Sequence, residues 1–85
     1  MNTVKYSELE DRLSGFEHRE FRDGNIIKII IRLPMAESKF GNRQELEISM
    51  NLAGNEAEII GVFIISGNSK KEVGYDLIAD WLGLQ

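Results

Sequence analysis

Apolar and polar residues alternate most strictly over residues 44–52, where Leu46, Ile48, Met50 and Leu52 interleave with Glu45, Glu47, Ser49 and Asn51. A period of two gives a strand one buried and one wet face. Upstream, 25–33 carries Ile27, Ile29, Ile31 and Leu33 at the same period. Downstream, 58–66 is apolar at both parities: Ile60, Val62 and Ile64 point one way, and Ile59, Phe63 and Ile65 the other. β-Branched side chains fit these segments because their restricted χ1 suits the pleated surface. Asp23-Gly24 joins 16–22 to 25–33 as a hairpin. A two-residue loop puts Phe16, His18 and Glu20 beside Ile27, Ile29 and Ile31. A three-residue loop with a bulge puts Phe21 there instead, buries it, and stands Glu20 opposite Lys28. The second register is preferred on that ground. Pro34 ends the second strand, 35–42 is a loop with Gly41-Asn42 as its turn signal, and 53–56 turns the chain again.

Two stretches change period from two to 3.6. Ser7-Glu8-Leu9-Glu10 has the spacing of a capping box and opens a helix over 7–14, with Leu9 and Leu13 on one face. Glu8, Glu10 and Asp11 sit at its positive end, and Ser14-Gly15 supplies a left-handed stop. Ser69-Lys70-Lys71-Glu72 repeats the capping-box pattern and opens a helix over 69–82. Its apolar stripe is Val73, Leu77 and Trp81, extended by Ile78 and Leu82, with Gly74 allowing close approach to the sheet and Gly83 ending it. The order α-β-β-β-β-α predicts an α+β fold: a four-stranded antiparallel meander with the N- and C-terminal helices packed on one face. With 85 residues there is room for one domain, residues 1–85.

The other face of that sheet is mixed. Lys28 and Arg32 can pair across to Glu45 and Glu47, yet Ile26 and Ile30 point the same way, and 58–66 adds more apolar side chains. The partner-binding residues expected there are Ile26, Ile30, Ile60, Val62 and Ile64, an apolar stripe on a chain too small to waste it. Association of two copies through this face is the expectation.

Composition narrows the chemistry. The chain has no Cys, which excludes a disulfide framework, a thiolate metal site and a Cys nucleophile. His18 is the single His and has no ligand or catalytic partner at a recognisable spacing, so it reads as an exposed or edge-strand residue, and no metal is expected. Glu45/Glu47 and Glu56/Glu58 have strand spacing, about 7 Å apart on one face, a separation that glycoside chemistry uses. Beside Lys28 and Arg32 they read more simply as a solvated ladder, so no enzyme and no cofactor is expected. Gly67-Asn68-Ser69-Lys70-Lys71 before a helix offers N–H groups and two Lys to an anion, but lacks the P-loop pattern and reads as an N-cap. A net charge of −4 without a basic stripe argues against nucleic acid. No apolar run reaches the roughly 18 residues of a membrane span, and Met1 to Glu8 lacks the basic-then-apolar profile of a signal peptide, so a cytoplasmic protein is expected.

The stretch 7–66 combines a short helix ending in Gly15, a strand, Asp23-Gly24, and an apolar strand closing in Arg32-Leu33-Pro34. A Gly-containing loop, an alternating strand from Arg43-Gln44 and a further apolar strand follow. It resembles the small bacterial YbjN-like domains related to type III secretion chaperones. The resemblance implies a non-enzymatic α+β module that dimerises through sheet or helix surfaces and binds other proteins, with no catalytic residues to carry over. The functional expectation is therefore a protein-binding module, chaperone-like or regulatory, and a homodimer. The alternative is a small acidic inhibitor or immunity protein, phage- or toxin-linked, that blocks a basic site on a nuclease or nucleic-acid enzyme. Glu8, Asp11, Asp76 and Asp80 would form its negative surface.

Overall fold

The computed structural model describes residues 3–32 and 44–82, except the side chains of Leu77, Trp81 and Leu82. The expected Pro34 stop, the 35–42 loop with Gly41-Asn42, the Leu77 and Trp81 stripe and the Gly83 stop lie outside that description. The elements run β1 (Thr3–Lys5), α1 (Tyr6–Leu13), β2 (His18–Asp23), β3 (Ile26–Arg32), β4 (Gln44–Ala53), β5 (Glu56–Ser66), β6 (Ser69–Val73) and α2 (Tyr75–Leu82). All strands join one six-stranded sheet in the order β1-β5-β4-β3-β2, with β6 also on β5. Every pairing is antiparallel. The far side of the 11-residue β5 is long enough to take β1 at its start, Lys5 opposite Glu56, and β6 at its end, Ser69 opposite Ser66.

This corrects the four-stranded α-β-β-β-β-α arrangement. One added strand is β1, three residues that bury only Val4, opposite Ala57. The other is β6, where Ser69 to Glu72 had the spacing of a helix start. The preceding Gly67 decides the matter: its φ of +58° lets Gly67-Asn68 close a two-residue hairpin, so the chain folds back on β5. Helix α2 begins only at Tyr75. Gly74 precedes it instead of lying inside, and a Cβ there would meet nothing within 4 Å, so it serves no close approach.

The hairpin β2–β3 also corrects the preferred register. Asp23 pairs with Ile26 across the two-residue loop Gly24-Asn25, so Phe21 lies opposite Lys28 and Glu20 opposite Ile29. Gly24, at φ +61°, takes the strained position without a bulge. Phe21 is thus outside the core.

From β3 across β4 to β5 and β1, one face of the sheet is buried, whereas β2 is exposed throughout. Rows of paired residues cross it: Ile31, Leu46 and Ile64; Ile29, Ile48, Val62 and Val73; Ile27, Met50 and Ile59; Leu52, Ala57 and Val4. Leu9 and Leu13 of α1 and Ile78 of α2 are buried in the same cluster. The start of α1 is not capped by Ser7. The helix opens at Tyr6, and the β4–β5 turn caps it across 48 residues of sequence. Asn55 O accepts from Tyr6 N–H at 2.8 Å, and Asn55 Oδ1 from Ser7 N–H at 3.0 Å. Asn55 Nδ2 donates to Ser7 Oγ at 3.0 Å. Together these satisfy donors that a helix leaves open at its first turn. At the other end Ser14, in the right-handed region, closes α1 with its hydroxyl donating to Asp11 O at 2.7 Å, and Gly15 does not adopt the left-handed conformation.

The outer sheet face as candidate functional site

The face away from both helices is built by alternate residues of β2, β3, β4, β5 and β6. Its central row runs Arg19, Ile30, Glu47, Phe63 and Glu72; the row beside it is Phe21, Lys28, Ser49 and Gly61. A β-bulge disturbs β5. Ser49 faces Gly61 but Met50 faces Ile59, so Ile60 is the extra residue and stands exposed. This corrects part of the expected stripe. Ile26, Ile30 and Ile60 are outside the core, but Val62 is buried in it and Ile64 packs against it. Phe63 and Ile65 take the outward positions instead, because one inserted residue reverses which side chains face out.

Sequence reasoning also missed Phe21, which the two-residue turn places on this face. Phe21, Ile26 and Ile60 are the large apolar side chains most open to solvent among the described residues, at 51 %, 43 % and 56 %. A signal for the bulge was present in Gly61, since an interior strand glycine marks a bulge or a close approach. Here it does both. A Cβ at Gly61 would lie 3.0 Å from Cε2 of Phe63, whose ring leans back over the bare backbone.

Charge is organised around that ring. Glu47 is buried between Ile30 and Phe63 and is held by Lys70 Nζ at 2.8 Å and Lys28 Nζ at 3.9 Å. Lys70 also sits 4.5 Å from the centre of the Phe63 ring, close enough for a cation–π contact. Toward β2, Arg19 pairs with Glu45 at 3.1 Å and lies 5.9 Å from the Phe21 ring, and Arg32 pairs with Glu17 at 3.3 Å. Lys28 and Arg32 were expected opposite Glu45 and Glu47. Lys28 reaches Glu47, whereas Arg32 turns to Glu17 on its other side.

Two shallow depressions flank Ile30. One, about 510 Å³, is lined by Phe21, Arg22, Asp23, Ile26, Lys28, Ile30 and Glu47. The other, about 340 Å³, is lined by charged residues around His18 and Ile30. The first joins an apolar floor to opposite charges at its rim. His18 is exposed, its Nδ1–H donating to Phe16 O at 2.9 Å. Glu45 and Glu47 are both committed to cations. The expected helix start after Gly67-Asn68 is a strand turn, so it has no helix N–H groups to offer an anion. Among the described residues no group of His, Asp or Glu is placed to hold a metal ion.

The helical side has a different character. Glu8, Asp11, Asp76 and Asp80 are all exposed there. At the start of α2, burial, then the charges of Asp76 and Glu8, raise the Tyr75 phenol above the ordinary tyrosine range. Tyr6, at the start of α1, donates to the Glu20 carboxylate; burial and that bond raise its phenol as well. No described helix is long and apolar enough to cross a membrane. No protein family, curated protein or solved structure matches the chain.

Proposed function

We propose that the chain is a non-enzymatic, cytoplasmic protein-binding module, chaperone-like or regulatory, that docks a partner protein on the outer face of its sheet. The observation that carries this reading is the depression in which Phe21, Ile26 and Ile30 form a floor rimmed by Lys28 and Asp23. Exposed apolar surface bordered by mixed charge is the usual make-up of a docking site. The pattern by which residues 7–66 resemble chaperone-related domains is in keeping with it.

The test is capture of binding proteins by the immobilised chain and by Ile30→Glu, with folding checked by circular dichroism. A partner bound by the parent and lost from the folded variant supports the reading. A partner retained equally by both overturns it. The molar mass of the same variant separates partner docking from self-association through this face.

A second reading, the acidic inhibitor, is supported by the exposed carboxylates Glu8, Asp11, Asp76 and Asp80 of the two helices. It requires binding to a basic protein site that weakens steeply with salt. An affinity flat between low and high salt excludes it.

A further inference from the structure

Strand β2 ends the sheet: among the described residues no strand pairs with its outer side. Arg32 N–H donates to Glu17 O at 2.9 Å. In an antiparallel ladder this parity turns the backbone groups of Arg19, Phe21 and Asp23 toward β3, and those of His18, Glu20 and Arg22 toward the open edge. Such an edge is a template for another strand, and proteins ordinarily blunt it with charge. The charges of β2 are not scattered, however. Arg19-Glu20-Phe21-Arg22-Asp23 reads plus, minus, apolar, plus, minus. Reversed about Phe21, every charge meets its opposite.

We propose that β2 pairs antiparallel with β2 of a second copy of this chain, on a two-fold axis through Phe21, joining two six-stranded sheets into one. In this register Glu20 faces Arg22 of the second copy, Arg19 faces its Asp23, and each pair occurs twice. Among the described residues no strand pairs with the outward backbone groups of Glu20 and Arg22, so in this register they form the hydrogen-bonded pairs. Phe21 then meets Phe21 at a non-hydrogen-bonded pair, where side chains approach most closely. A two-fold axis perpendicular to the sheet keeps the outer faces on one side, so the depressions floored by Phe21, Ile26 and Ile30 become neighbours across the joint.

Neighbouring symmetric registers are disfavoured by the same charges. Centring on Glu20 sets Glu20 against Glu20 and Glu17 against Asp23. Centring on Arg19 or Arg22 sets like guanidinium groups face to face. Like charges directly opposite are destabilising, so one register is selected. Arg22 and Asp23 have no ion-pair partner among the described residues, which leaves them available. Glu20 has one carboxylate oxygen engaged by Tyr6, and Arg19 meets Glu45 through one guanidinium nitrogen, so each shares its charge with the new contact.

Sedimentation equilibrium tests the assembly. The parent chain forms a dimer whose dissociation constant rises with salt. Arg22→Glu sets a second carboxylate against Glu20 at both symmetric positions and weakens the dimer about 30-fold. Glu20→Arg alone weakens it likewise, by opposing two arginines. Mixing the two variants restores dimers, because every cross-strand pair is again of opposite sign. A monomeric parent at all concentrations, or a dimer indifferent to Arg22→Glu, overturns the proposal. Should either variant fail to fold, Phe21→Cys decides, since the chain has no other Cys. Cα atoms at a non-hydrogen-bonded pair lie within disulfide reach. Cross-linking at position 21 but not with Asp23→Cys supports the register, and no cross-link at 21 overturns it. A dimer broken by Ile30→Glu and not by Arg22→Glu assigns self-association to the outer face instead.

Discussion

Replacing Lys70 by Ala removes the closer of two cations from a buried carboxylate. Glu47 sits in the central strand with its side chain 6 % exposed, while Lys70 and Lys28 are 49 % and 46 % exposed. At an effective dielectric of 20, gross attraction is about 6 kcal/mol at the Lys70 distance and about 4 at the Lys28 distance. Water around the half-exposed ammonium groups screens most of it. Exposed pairs contribute about 0.2–1 kcal/mol, whereas breaking a buried pair costs about 3–5. With one member buried and the other half out, Lys70→Ala should cost about 2 kcal/mol and Lys28→Ala roughly half that. The assay is urea unfolding of the parent, Lys70→Ala, Glu47→Gln and the double variant, read as a cycle. Glu47→Gln keeps the shape and deletes the charge, so Lys70→Ala should cost much less in that background. A Lys70→Ala penalty of the same size in both backgrounds would refute the charge argument. It would assign Lys70 to packing on Phe63 alone.

Other consequences follow from the same geometry. Tyr6 keeps its proton in the folded state to higher pH than in the unfolded chain, because burial and the bond to Glu20 disfavour the phenolate. The stabilisation is therefore complete below about pH 10 and is lost as pH rises through the folded-state value. Tyr6→Phe should be less stable at neutral pH and show a shallower alkaline decline; parallel stability curves would contradict the linkage. Asn55→Ala removes the side-chain acceptor of Ser7 N–H at the start of α1 and should cost about 1 kcal/mol by thermal or urea unfolding. Gly67→Ala forces a Cβ into a left-handed turn and should cost about 1–2 kcal/mol, whereas Gly74→Ala, with open space around it, should be near neutral.

The clearest sequence signals concerned burial, and the misleading ones concerned chain reversal. The alternation of 44–52, and that of Ile27, Ile29 and Ile31, located the residues of β4 and β3 that face the core, since a strand with one wet face must alternate; Leu33, expected with them, lies outside the described residues. The reversals were marked by one dipeptide. Gly24-Asn25, Gly54-Asn55 and Gly67-Asn68 each close a two-residue hairpin with glycine at φ +61°, +63° and +58°. The pair Gly67-Asn68 was outweighed by the capping-box spacing of Ser69 and Glu72. That pattern is satisfied equally by an exposed strand of Ser, Lys and Glu, because it specifies polar residues and not a period. The cap of α1 failed for a different reason: its acceptor, Asn55, comes from a turn 48 positions away, and local spacing cannot report it.

The outer face shows the same limit at the level of function. Ile26 and Ile30 were legible because β3 alternates without interruption. Val62 and Ile64 were misplaced because 58–66 is apolar on both parities, so its hydrophobic pattern does not select a facing. The bulge at Ile60 does, and only Gly61 hinted at it. Strand β2 is the sharper case. It has a single large apolar residue, and assigning Phe21 to the core by burial alone led to the wrong turn. Once the two-residue loop sets the register, Phe21 turns outward, and the surrounding charges acquire a different meaning. Their order about Phe21 is the one the proposed self-pairing uses, and it penalises the neighbouring registers. A hydrophobic pattern would not reveal such an interface, because its selectivity lies in the sequence of signs along an edge.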